Sequence, residues 1–112
     1  MNVESIAVIG AGTMGNGIAQ VCAVRGFPVI MTDVARPALE RGLATISGSL
    51  DRLVNRQKLT QADKEAALAR ISTATTLEAT RDCDLIIEAA TENPELKLRI
   101  FGRSDEHTSE LQ

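Results

Sequence analysis

Three glycines and one acid carry the most legible chemistry in this chain. Gly10-Ala11-Gly12-Thr13-Met14-Gly15 follows a short apolar run, Ile6 to Ile9. Asp33 closes a second apolar run eighteen residues after Gly15, near the ~20 expected for an acid that accepts hydrogen bonds from an adenosine ribose. In such a turn Gly10 allows the sharp exit from a strand, Gly12 lets a pyrophosphate approach the backbone, and Gly15 lets the following helix pack against the strand. The first amides of that helix have no intrahelical partners and sit at its positive dipole end, which suits a dianion. A glycine triplet alone is a weak signal. Here a strand before it, a helix after it and an acid at the right distance agree on a dinucleotide site. The alternative is an ordinary tight turn with an exposed Asp33.

The acid also bears on which dinucleotide binds. A 2′-phosphate would bring like charge against Asp33, where a ribose hydroxyl would donate to it. Losing a charged hydrogen bond of about 1.5–3 kcal/mol corresponds to about ten- to a hundredfold in affinity. NAD is therefore expected over NADP, with Arg36 as a neighbour able to offset part of the penalty.

Composition bounds the rest. The chain has 112 residues, of which 44% are hydrophobic, enough for one small domain with its own core. A net charge of −3 argues against a general nucleic-acid surface, and two aromatics, Phe27 and Phe101, make no stacking platform for single strands. Cys22 and Cys83 lack CxxC spacing and read as buried free thiols of a reducing compartment. Met1 to Ser5 has no positive leader. The glycines, Asn16 and Gln20 argue against a membrane span over 6–24. A cytoplasmic protein is expected.

The elements that must position these residues follow from periodicity. After the turn, Met14, Ile18, Val21 and Cys22 fall on one helical stripe, and Gly26 suits a left-handed cap. Pro28 opens the second strand. Pro37 sits in the first turn of a long helix carrying Leu39, Leu43, Ile46, Leu50, Leu53 and Val54, ending near Arg56 or Gln57. Thr60, with Asp63 three residues on, starts a second helix with a face of Ala62, Ala66, Ala67, Leu68 and Ile71. This hairpin, about 36–71, is roughly three times longer than a crossover between parallel strands needs. Ser72 to Thr76 is a weak strand candidate, and Leu77 to Thr80 a single helical turn. Asp84 to Ala90 is a strong strand, apolar on both faces. Pro94 is expected to open a helix over 95–101. The fold class expected is α/β: a Rossmann-like parallel sheet of about four strands, ordered 3-2-1-4 and incomplete, with a helical hairpin inserted after the second strand. The fourth strand would then be an apolar edge that invites association.

The segments VIGAGTMGNGIAQ, SGSLDRLVNRQKLT and DLIIEAATENPELKLRIF, with Asp33, together resemble the amino-terminal part of the 3-hydroxyacyl-CoA dehydrogenases, including the 3-hydroxybutyryl-CoA branch. The resemblance runs from about Val3 to Phe101. It implies an NAD-dependent oxidoreductase interconverting (3S)-3-hydroxyacyl-CoA and 3-oxoacyl-CoA in fatty-acid or butanoate metabolism. Gly10, Ala11, Gly12, Thr13, Met14 and Gly15 would hold the NAD pyrophosphate, and Asp33 the adenosine ribose. Ala90, Glu92 and Lys97 would line the nicotinamide side. Ser49 matches the family's position that touches CoA, and Arg56, with Lys58 nearby, the basic position for CoA phosphates. The family also implies a homodimer for the full-length parent, an acyl-CoA partner, and no nucleic-acid or membrane partner.

The family's catalytic histidine and its acidic partner have no counterpart here. His107 lies in no matching motif, so the chain alone is expected to transfer hydride at a negligible rate. Residues 1–101 form the expected partial domain. Residues 102–112 form a polar tail whose RSDEHTSELQ resembles translated sequencing-adapter sequence. Two other functions fit the glycine turn: a β-hydroxyacid dehydrogenase of the 6-phosphogluconate type, and a non-catalytic NAD-sensing module. Asp33 and SGSLDRL speak against the first. Acetoacetyl-CoA binding separates the second.

Overall fold

The computed structural model describes residues 3–89, 97–101 and 108–111, the last two stretches by their backbone. Strand β1 (Ile6–Ile9) leads through the glycine turn into helix α1 (Thr13–Val24), then β2 (Val29–Thr32). The long helix α2 (Arg36–Asn55) and the shorter α3 (Gln61–Arg70) form the hairpin, and β3 (Ile71–Ala74) follows without a break. A 3-10 turn at Leu77–Thr80 leads to β4 (Leu85–Glu88), then β5 (Lys97–Phe101) and β6 (Thr108–Leu111).

The sheet runs β3-β2-β1-β4-β5-β6, with the first four strands parallel. Ile9 lies opposite both Thr32 and Glu88, and Thr32 lies opposite Ala74, so the parallel strands end in line. Three backbone bonds extend the ladder past those ends: Gly10 N–H to Thr32 O (2.6 Å), Asp33 N–H to Ala74 O (3.2 Å) and Ala89 N–H to Ile9 O (2.8 Å). That carboxyl edge is where ligands bind in open α/β sheets.

Several expectations need correction. Residues 97–101 are an extended strand antiparallel to β4, with Leu85 opposite Ile100 and Glu88 opposite Lys97, where the sequence reading places a helix. The run Lys-Leu-Arg-Ile-Phe alternates polar and apolar residues before its final Phe, a period of two that suits a strand. Strand pairing also removes the free edge that β4 would otherwise present. Thr108–Leu111 of the polar tail then pairs with β5, so β4 is not the edge.

Another correction concerns α1. Its buried residues are Gly15, Ala19 and Ala23, while Ile18 and Cys22 are half-buried. Met14 and Val21, expected on the apolar stripe, are 37% and 57% exposed. The cause is crowding: α1 touches β1, β2, α2 and α3 together, and only residues at i, i+4, i+8 with little or no side chain allow such close approach. The core around it is built from Val8, Val29, Met31, Leu39, Ile46 and Leu50, all buried. On α3 the buried face is narrower than expected, with Ala67 buried and Ala62 and Ala66 exposed.

The hairpin's local chemistry follows the sequence closely. Thr60 Oγ1 accepts from Asp63 N–H at 3.0 Å and caps α3. Lys64 pairs with Asp51 across the two helices. Arg70 Nη1 donates to Ala23 O at 2.8 Å, so the end of α3 caps the C-terminus of α1 with a cation.

Candidate cofactor site

Gly10 leaves β1 with φ +109°, a left-handed conformation that a side chain rarely adopts. The first α-helical bond of α1 runs from Asn16 N–H to Gly12 O at 2.9 Å, so the amides before it have no acceptor within the helix. Gly12 is exposed, and a Cβ built on it meets nothing within 4 Å. A Cβ on Gly15 would lie 1.8 Å from Gly10 O, which is impossible. Gly15 therefore serves packing, while Gly12 faces open space.

Asp33 is on the same edge and turned toward the turn. Its Oδ2 accepts from Ala11 N–H at 3.1 Å, and its Oδ1 accepts from Ala35 N–H at 3.0 Å. Each carboxylate oxygen has a second lone-pair direction, so two sugar hydroxyls could still be accepted.

Beside the turn lies a cleft of about 230 Å³ between the first turn of α1 and the first half of α2. Ala11, Gly12, Thr13 and Asn16 form one wall, and Ala38, Arg41, Gly42 and Thr45 the other. It is smaller than the ~300–1,000 Å³ of most ligand pockets, too small to enclose a whole dinucleotide. The α2 wall was not anticipated from the motif. Gly42 was the available signal: mid-helix glycine costs about 1 kcal/mol against alanine. Here it is buried against Ala11, where a Cβ would stand 3.0 Å from Ala11 O and 3.2 Å from Met31 Cε.

The remaining named residues are dispersed. Gly10, Ala11, Gly12, Thr13, Met14, Gly15 and Asp33 converge at one edge. Ser49 is half-buried on α2. Arg56 is exposed at the C-cap of α2, fourteen residues beyond Gly42, about 21 Å along the axis at ~1.5 Å per residue. Lys58 lines a separate cavity of about 380 Å³ at the hairpin tip, with Val54, Leu59 and Thr60. Ala90 and Glu92 lie outside the described residues, as does His107, and Lys97 is described only as the first residue of β5.

Neither thiol adds a nucleophile. Burial pushes Cys22 above its ordinary value. Burial also pushes Cys83 up, a hydrogen bond from Ser5 works against it, and Asp84 and Asp82 push it further. Among the described residues no cluster of ligands could hold a metal ion, and no helix is long and apolar enough to cross a membrane.

A parallel β3-β2-β1-β4 sheet, a glycine turn opening a helix, and an acid at the next strand's end define a Rossmann-type dinucleotide-binding domain. The donor set fits the group: unpaired amides and open space at Gly12 for two phosphates, and a carboxylate for a sugar. The family model for the 3-hydroxyacyl-CoA dehydrogenase NAD binding domain matches residues 5–111. The chain belongs to the 3-hydroxyacyl-CoA dehydrogenase family, as its NAD-binding domain.

Relatives agree. A 3-hydroxybutyryl-CoA dehydrogenase of Bradyrhizobium diazoefficiens is 48% identical over 99 residues, covering 88% of this chain and 34% of the relative. The crystal structure of (S)-3-hydroxybutyryl-CoA dehydrogenase from Ralstonia eutropha superimposes with a TM-score of 0.79 at 51% identity, over 82% of this chain and 32% of that one. The 3-hydroxybutyryl-CoA dehydrogenase of Escherichia coli K12 gives 0.80 at 43% identity, over 83% and 20%. The chain thus spans about a third, 34%, of the first of these relatives.

Proposed function

We propose that this chain is the cofactor-binding part of an enzyme that interconverts (3S)-3-hydroxyacyl-CoA and 3-oxoacyl-CoA, a reaction of fatty-acid or butanoate metabolism in a reducing, cytoplasmic setting. The observation that carries the reading is the Asp33 carboxylate, 3.1 Å from Ala11 N–H and beside the open space at Gly12. The amides of residues 12–15 hold the pyrophosphate, and Asp33 grips the adenosine ribose and disfavours a 2′-phosphate. Ala90, Glu92 and Lys97 serve the nicotinamide side. Bound NAD supplies the hydride acceptor. Ser49 and Arg56, far along α2, meet the CoA portion of the substrate, and the full-length parent is a homodimer. No residue of the site is assigned as the base that takes the hydroxyl proton, so the expected behaviour of this chain is nucleotide binding with negligible hydride transfer.

The test is titration of the purified chain with NADH, NADPH and acetoacetyl-CoA. NADH should bind at least tenfold tighter than NADPH, and acetoacetyl-CoA should bind and weaken on Arg56→Ala. Equal affinity for the two nucleotides would refute the role of Asp33. NADH binding without acetoacetyl-CoA binding would favour a sensing module.

A further inference from the structure

We propose that Asp33 is also a positioning residue that shapes the glycine turn before any cofactor arrives. The inference rests on the cofactor reading above but concerns the free protein. The carboxylate bridges two turns: Oδ2 takes Ala11 N–H from the β1–α1 turn, and Oδ1 takes Ala35 N–H from the β2–α2 turn. Ala11 is 3% exposed, so its amide has little recourse to water if the acid is removed.

Ala11 is also held at its carbonyl. Asn16 Nδ2 lies 3.5 Å from Ala11 O, and α2 packs there so closely that a Cβ on Gly42 would stand 3.0 Å away. The carbonyl of Ala11 and the amide of Gly12 share one planar trans peptide. Fixing Ala11 from its N–H and its oxygen therefore fixes the direction of Gly12 N–H, an amide that faces the pyrophosphate. Asp33 then acts on the phosphates through the turn, in addition to its contact with the sugar.

The two roles separate with a ligand that cannot use the sugar contact. The probe is an NADH analogue whose adenosine ribose lacks both the 2′- and 3′-hydroxyls. If Asp33 served only the ribose, Asp33→Ala would bind this analogue as tightly as the unmodified chain. Positioning predicts at least a fivefold loss, partly recovered in Asp33→Asn, which keeps one acceptor oxygen. Equal affinity across the three proteins would overturn the proposal.

Hydrogen exchange at single amides tests the free protein directly. In Asp33→Ala the Ala11 amide should exchange at least tenfold faster relative to the Gly10 amide, which bonds Thr32 O at 2.6 Å and is independent of the acid. Asp33→Asn should fall between, and it carries the test by itself if the alanine variant does not fold. An unchanged Ala11/Gly10 ratio would overturn the positioning role. Failure of the unmodified chain to bind NADH would instead overturn the cofactor reading, with the exchange ratio still deciding whether the turn is held by Asp33.

Discussion

Alanine at Gly12 and alanine at Gly15 should fail in opposite ways. A Cβ at Gly15 would sit 1.8 Å from Gly10 O, against ordinary contact from 3.4 Å, so α1 and the start of the turn must separate by about 1.6 Å. Both partners are backbone and no flexible side chain can yield. The cost belongs at or above the upper end of the ~1–3 kcal/mol range for overpacking. At about 3 kcal/mol, Tm falls by about 12–24 °C for a domain of this size. Gly12 has φ −69° and ψ −168°, extended backbone open to alanine, and its Cβ meets nothing. Alanine is a poorer N-cap than glycine by about 0.5–1 kcal/mol. The lower entropy of its unfolded chain returns about 0.4–1 kcal/mol. Tm should therefore stay within about 5 °C. On the proposed reading the methyl group takes space left for the pyrophosphate, and losing one charged hydrogen bond there, about 1.5–3 kcal/mol, should weaken NADH by about ten- to a hundredfold. Thermal melts and NADH fluorescence titrations of both variants decide the matter. Unchanged NADH affinity in Gly12→Ala, or a Gly15→Ala variant that melts like the parent, would refute the division of labour.

Other perturbations read the scaffold. Arg70→Ala removes the cation that caps α1 at Ala23 O and should cost about 1.5 kcal/mol, a Tm loss of about 6–12 °C in a melt. Gly42→Ala gains about 1 kcal/mol of helix propensity but presses on Ala11 O at 3.0 Å, so we expect little change in Tm and weaker NADH binding; unaltered binding would show that α2 does not seat the turn. Both thiols are held above their ordinary 9.0 by burial, so the unfolded chain ionises first as pH rises. Their contribution to stability is full below pH 9 and is lost as pH climbs toward the folded values, which urea midpoints at pH 7 and pH 10 should register and Cys83→Ala should reduce.

The glycine turn and Asp33 were readable because each of these residues answers a local demand. Gly10 needs a left-handed φ, Gly15 needs no Cβ, and Asp33 ends an apolar run, all visible as residue type and spacing. Thr60 and Asp63 likewise announce the start of α3 by a local hydrogen bond. What escaped notice depends on contacts distant in sequence. Met14 and Val21 satisfy a helical stripe, yet the sheet and hairpin select Gly15, Ala19 and Ala23 as the face they bury. The strand at 97–101 hid because Leu96, Leu98, Ile100 and Phe101 suit either a helix or a strand, and Pro94 favoured the helix. Pairing with β4 decides between them, and a short window cannot register that. Gly42 is unfavourable in a mid-helix position, but nothing in α2 itself says that the carbonyl of Ala11 lies beneath it.

The placement of the hairpin has a mechanical consequence. Helix α2 touches the cofactor turn at Gly42 and extends about 21 Å further to Arg56, while α3 returns along α1 and closes it at Ala23 through Arg70. Helix α1 is therefore gripped at its start by the turn and α2, and at its end by α3. The first amides of α1 are thereby tied to the hairpin through Gly42 and Ala11. A rigid seat of this kind favours preorganised donors, because amides already aimed at a dianion need no reorganisation when it binds. The small residues on α1 and α2 are the condition for that rigidity: a larger side chain at Gly15 or Gly42 would separate the very surfaces that hold the turn in shape.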